Sequence, residues 1–144
     1  MTVQALLGGK TIEVKTIGPS IRIETAAALL RENRIGAFPV VDPDGKLVGI
    51  LSERDIITAI ATRGADGLML KVEEVMTRNV VTVTMQDTIK DVMSTMTTRR
   101  IRHLPVLEAG RLKSVISIGD VIKFRINAAE LEMNVLRDYA LAKN

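Results

Sequence analysis

One stretch of this chain is written twice, and the duplication constrains the fold more than any other feature. RIGAFPVVDPDGKLVGILSERD runs from Arg34, and RIRHLPVLEAGRLKSVISIGD runs from Arg100. Arg-Ile, Pro-Val, Gly, Leu, Ser and Asp recur in one order. Pro39 and Pro105 stand 66 positions apart, as do Thr16 and Thr82. Past the turn the offset falls to 65, between Ser52 and Ser117, because EAG is one residue shorter than DPDG. A deletion confined to a turn is what a structural duplication tolerates. A unit of about 50–60 residues buries too little surface to stand alone, so the copies are expected to pack face to face.

Each copy reads as strand, helix, strand, turn, strand, helix, an α+β arrangement. EVKTI, from Glu13, suggests the first strand. Ile23, Ala26, Ala27 and Leu30 follow at helical spacing, and Gly36 marks the end of that helix. FPVV and KLVGIL flank Asp-Pro-Asp-Gly, whose proline and glycine specify a type I turn in a hairpin. The second copy repeats this with VVTV, the helical face Ile89, Val92, Met93 and Met96, then LPVL and RLKSVIS. Pro39 and Pro105 are expected at the first residue of their strands, where a sheet tolerates proline. Between the copies, RGADGLMLKVEEVMT reads as a connection with one short helix.

The final helix is expected from about Val121 to Ala142, with no proline or glycine to interrupt it. Ile122, Ile126, Ala129, Met133, Leu136 and Ala140 are spaced as a heptad seam. A helix lying along its own chain and a dimer seam both fit this short pattern. Little of the chain remains to cover its terminal half, which favours self-association.

Composition excludes several functions. There is no cysteine, hence no disulfide framework, thiolate nucleophile or zinc–cysteine site. No run of about 18 apolar residues offers a membrane span, and MTVQALLGGK has no basic leader before an apolar segment; a cytoplasmic location is expected. The 20 basic and 17 acidic residues are well mixed, and only Phe38, Phe124 and Tyr139 are aromatic. Nucleic-acid binding is therefore disfavoured, since stacking platforms are lacking. Neither G-x-x-x-x-G-K-[ST] nor G-x-G-x-x-G is present, and Gly8-Gly9-Lys10-Thr11 lacks the upstream glycine of a P-loop. With one histidine and no metal-spaced ligand cluster, neither an enzyme nor a metal site is expected.

Ser52-x-x-Asp55 is the pattern of a helix capping box. Its twin Ser117-x-x-Asp120 stands after an equivalent strand, although the intervening residues have changed from Glu-Arg to Ile-Gly. A hydroxyl and a carboxylate thus persist at a strand-to-helix turn. Such a turn offers backbone amides and the positive end of a helix dipole to an anion. A carboxylate repels phosphate but accepts hydrogen bonds from the vicinal hydroxyls of a ribose. Together these groups suit a nucleotide.

With Pro-Val strands, glycine turns and the Val75-Met-Thr77 entry to the second copy, the chain resembles a tandem pair of cystathionine β-synthase (CBS) domains. The likeness runs from about Glu13 to Arg125. It implies an N-terminal segment over 1–12, repeats over 13–63 and 76–125, a linker over 64–75 and a helical extension over 126–144. It further implies two pseudo-twofold-related repeats packed through their sheets, with two clefts able to hold adenine nucleotides. Ser52 and Asp55 would line one cleft, with Thr82, Val83 and Ile101 to His103 crossing from the other repeat. Ser117 and Asp120 would line the second, with Thr16, Ile17, Ile35, Gly36 and Ala37. Arg102 and His103 stand where relatives carry phosphate ligands, whereas their counterparts Gly36 and Ala37 are uncharged. Arg54 beside Asp55 has Gly119 as its counterpart, so each cleft is expected to draw a phosphate partner from a different place. The sequence departs from the family pattern at Met85-Gln86-Asp87, where the first copy has Gly18-Pro19, and at Ser114, where relatives often have glycine.

The expected function is a regulatory sensor of AMP, ADP, ATP or NAD-type ligands, acting as a homodimer or on a partner protein. The alternative is a constitutive dimerisation scaffold with degenerate clefts.

Overall fold

The computed structural model describes residues 1–9 and 13–143; Lys10 and Thr11 of the rejected P-loop candidate lie outside them. The helices are α1 (Val3–Leu7), α2 (Ile23–Asn33), α3 (Glu53–Arg63), α4 (Val72–Val75), α5 (Ile89–Arg99) and α6 (Ile118–Ala142). The strands are β1 (Ala37–Val41), β2 (Leu47–Ser52), β3 (Val83–Thr84), β4 (His103–Glu108) and β5 (Arg111–Ser117). β1 pairs antiparallel with β2; β4 pairs antiparallel with β5 and parallel with β3. The duplication is thus carried as two small α+β units.

EVKTI does not form the expected strand. Only Ile17 pairs, its amide donating to the Pro39 carbonyl (3.1 Å) and its carbonyl accepting from Val41 (3.0 Å). In this parallel register the next rung back would need the Pro39 amide to reach Lys15, and proline has none. VVTV is shortened in the same way, β3 beginning at Val83, which lies opposite Val106. Both prolines therefore sit at the third residue of their strands rather than the first, and each one stops the parallel ladder from within.

Helix ends hold a second departure. α2 ends not at Gly36 but at Arg34, and α5 at Arg100, both in the left-handed region with φ of 55° and 54°. The amides of Ile35 and Ile101 reach back to the Leu30 and Met96 carbonyls at 3.1 Å each. This is a Schellman closure with arginine where glycine is usual. The left-handed backbone costs roughly 1–2 kcal/mol at a residue with a Cβ. Ile35 and Ile101 offset part of that cost by packing against the cores of their repeats. Of the predicted helical faces, Ile23, Ala26, Leu30, Ile89, Val92 and Met96 are buried, but Met93 is exposed.

The flanking segments exchange places. Residues 70–76 precede the second repeat yet complete the first: Ile23 donates to Leu70, Val72 to Ile21 and Glu73 to Pro19. Val72 and Met76 belong to the first core, with Phe38, Val40 and Leu51. α1 precedes the first repeat yet completes the second, Val3 donating to Asp87 and Gln4 to Met85, with Thr2 bridged to Thr88. Val3, fully buried, joins Val92, Leu104, Val106 and Ile116. Each core is therefore closed by chain from before the opposite repeat. Thr77 seals the junction by pairing with Ile50 of β2 through bonds of 3.0 and 2.9 Å. That approach requires Gly49, where a Cβ would overlap Met76 Sδ and stand 3.0 Å from the Thr77 carbonyl.

Val3→Asp places a charge in the second core, so it should cost several kcal/mol. Denaturant unfolding measures the loss, and hydrogen exchange should locate the earliest increase in residues 83–121 rather than in 23–56. Protection lost equally from both repeats would contradict the exchange.

Candidate functional site

Two clefts flank the junction of the repeats, with volumes of about 380 and 460 Å3. Both fall within the roughly 300–1,000 Å3 typical of small-molecule sites. Asp55 stands in the first and Asp120 in the second.

Both Ser-x-x-Asp pairs are capping boxes. Asp55 Oδ2 accepts from the Ser52 amide at 2.9 Å, and Ser52 Oγ accepts from the Asp55 amide at 3.3 Å. Asp120 Oδ2 accepts from the Ser117 amide at 2.8 Å, and Ser117 Oγ from the Asp120 amide at 3.1 Å. Capping consumes one carboxylate oxygen and leaves the other beside the cleft. Asp55 Oδ1 takes a long bond from Thr77 Oγ1 at 3.3 Å, whereas no such bond is found to Asp120 Oδ1 among the described residues. The caps also use most of the helix N-terminus. The first amide of α3 donates to Gly36 (3.0 Å) and that of α6 to Arg102 (2.8 Å). With the third amides held by the serines, those of Arg54 and Gly119 are left in the first turns without a partner among the described residues, fewer than the sequence suggested.

The crossed arrangement is present, two residues earlier than expected in one strand of each repeat. Ile101, Arg102 and His103 reach the Asp55 cleft, and Ile35, Gly36 and Ala37 reach the Asp120 cleft. Thr16, Ile17, Thr82 and Val83 line neither. Ile17 and Val83 are buried in the cores at 5% and 6% exposure, and Thr16 and Thr82 face solvent away from the clefts. Their places are taken by Val14 and Lys15 in one cleft and by Val80 and Val81 in the other. Here the prolines had cut the ladder short and the chain turns aside. The signal was in the sequence, in the face of the strand to which each proline presents its missing donor.

Cations are not shared out between the clefts as expected. Arg54 and Arg102 line the same cleft, together with Arg99 and Arg100. Arg54 Nη1 donates to the Arg100 carbonyl at 3.0 Å, so a side chain of one repeat is fastened to the helix end of the other. The Asp120 cleft has Lys15 and Arg34, with the Lys15 ammonium bonded to the Asn33 side-chain carbonyl.

His103 and Gly36 border both clefts. A Cβ on Gly36 would stand 3.0 Å from the imidazole Cε1 and Nε2. Burial pushes the His103 pKa below its ordinary 6.5, with a smaller contribution from Arg102, against the opposing pull of Glu53 and Asp120. The described residues contain no group of three His, Cys, Asp or Glu able to hold a metal ion, and no helix long and apolar enough to cross a membrane.

The CBS domain sequence profile matches residues 10–62 and 72–127, so the chain belongs to the CBS domain family. It is 33% identical over 111 residues to the CBS domain-containing protein YhcV of Bacillus subtilis, covering 77% of this chain and 78% of that one. A crystallised CBS-domain containing protein from Agrobacterium tumefaciens is 45% identical, with a TM-score of 0.84 over 87% of this chain and 99% of its own. The CBS domain pair of protein MJ0100, solved with 5′-methylthioadenosine and S-adenosyl-L-methionine, is 28% identical, with a TM-score of 0.75 over 89% of this chain and 98% of its own.

A histidine held below its unfolded pKa binds its proton more readily in the unfolded chain, so its contribution to stability falls as pH drops through 6.5 toward the folded value. Melting temperature should therefore decline from pH 7.5 to pH 5, and His103→Gln should flatten part of that decline. An unchanged slope in the variant would show that His103 does not carry it.

Proposed function

We propose that the protein is a regulatory module that binds adenine nucleotides, of the AMP, ADP, ATP or NAD type, in the two clefts between its CBS repeats. One observation carries this reading. Each cleft pairs a carboxylate, oriented by its own capping box, with a wall supplied by the opposite repeat. An oriented carboxylate suits a ribose diol, and a wall drawn from both repeats makes binding sensitive to how they sit together. The adenosyl ligands of the MJ0100 domain pair support the same reading. Such a module acts by differential affinity: a ligand shifts the arrangement of repeats or subunits only by as much as it prefers one over the other.

The output is a homodimer or a regulated partner protein. Ile122, Ile126, Met133 and Leu136 of the heptad seam are 47–64% exposed, so the described residues leave this stripe largely uncovered. A second copy laying its α6 against this stripe would bury it, as heptad seams do. The same stripe supports a second reading, in which dimerisation is constitutive and the clefts are degenerate.

Asp55→Ala and Asp120→Ala should each abolish one site in titration calorimetry with AMP, ATP and NAD, and the double variant should bind none. Undiminished binding by the double variant would refute the assignment. Truncation after Phe124 should convert dimer to monomer in analytical ultracentrifugation while leaving nucleotide binding intact; an unchanged dimer would remove α6 from the interface.

A further inference from the structure

The duplication gave both clefts one backbone plan but left them with different charge. Around the Asp55 cleft, Arg54, Arg99, Arg100 and Arg102 stand against Glu53 and Asp55. Around the Asp120 cleft, Lys15 and Arg34 stand against Glu13 and Asp120. Four cations against two anions is a net attraction for a polyanion; two against two is none.

The helix termini do not alter this contrast. In both clefts the first and third amides of the turn are tied and the second has no partner among the described residues, so the dipole and amide contribution is alike on each side. Discrimination between ligands of different charge therefore rests on side chains. Guanidinium groups bind phosphate oxygens through paired N–H donors, which a lone ammonium cannot match. Arg54 is already oriented by its bond to the Arg100 carbonyl and keeps its other donors. Lys15, by contrast, is committed to Asn33. Both clefts have apolar walls, from Val14, Ile35 and Val115 in one and Ile50, Val80 and Val81 in the other, so charge and not polarity distinguishes them.

We infer that the clefts select ligands by phosphate number: the Asp55 cleft takes a nucleoside di- or triphosphate, and the Asp120 cleft a nucleoside with at most one phosphate. The inference rests on the nucleotide-binding reading above and adds to it the ligand class of each site. A further phosphate is drawn to the arginines of one cleft and gains nothing against the balanced charges of the other.

The test is calorimetric titration of the full chain with adenosine, AMP, ADP and ATP, in low salt with chelator present. In Asp120→Ala, which leaves the Asp55 cleft, affinity should rise about tenfold from AMP to ADP or ATP, as one or two charge-assisted hydrogen bonds would give. The rise should shrink as salt is added. In Asp55→Ala, the four ligands should bind within about threefold of one another. Arg102 is exposed, so Arg102→Gln should fold normally and weaken ATP about tenfold while leaving adenosine unchanged. A flat series in Asp120→Ala, a steeper one in Asp55→Ala, or equal loss of adenosine and ATP in Arg102→Gln would overturn the inference while leaving the nucleotide reading intact. A wild-type chain that binds none of the four would overturn both.

Discussion

A parallel ladder advances only while each residue facing the neighbouring strand can donate its amide, and at Pro39 and Pro105 that donation fails. In the first repeat the rungs on either side of Ile17 form, at 3.1 and 3.0 Å, and the next one back has no donor. The chain before Ile17 is thereby released from the sheet. Val14 and Lys15 become cleft wall, as Val80 and Val81 do in the second repeat. A residue able to donate at either position would let the strand run on and draw that wall into the sheet. The openness of the molecule at two related places thus follows from two missing hydrogen atoms 66 residues apart.

The same sheets are closed elsewhere by exchange. α1, a helix of five residues, could not persist alone. It holds because Val3 is sunk into the second core, its own amide donating to Asp87 and that of Gln4 to Met85. α4, of four residues, does the same for the first core. The first core is complete only with the segment that leads into the second repeat, and the second only with chain from beyond the first. The relative placement of the repeats is constrained at their outer edges as well as at the clefts. For a protein whose clefts are built from both repeats, that constraint keeps the walls in register.

Much of this was legible in the sequence because duplication reports itself. The recurrence of Pro-Val and Ser-x-x-Asp at offsets of 66 and 65 was enough to pair the repeats and place the hairpins. It was the family resemblance resting on that recurrence that implied the clefts at which Asp55, Asp120, Ile101–His103 and Ile35–Ala37 are found. What was not legible depended on conformations that residue types disfavour or on partners far away. Nothing in the letters marks Arg34 and Arg100 as left-handed, and Gly36 was the natural place to end α2. α1 has too few residues to show a helical period, and its partner begins some 80 positions later. The capping box and the ligand-facing acid looked like rival readings of one motif. They prove compatible, because a carboxylate has two oxygens: one fixes the helix end, and in doing so it orients the other.

At the junction of the two clefts the duplicated copies differ in size as well as in charge. Gly36 corresponds to Arg102, and Ala37 to His103, and of these Gly36 and His103 meet where both line the two clefts. A Cβ on Gly36 would already crowd the imidazole at 3.0 Å. An arginine at position 36, as its counterpart Arg102 would predict, would have to share that space with the imidazole. Gly36 in the first repeat makes room for the imidazole of the second, at the cost of symmetry between the copies. Arg102 lies on one side of this shared point, in the Asp55 cleft, where Arg54, with glycine at the equivalent position 119, adds to the same charge. The space that Gly36 leaves for His103 thus leaves the first repeat without a counterpart of Arg102, which is part of the charge difference between the clefts.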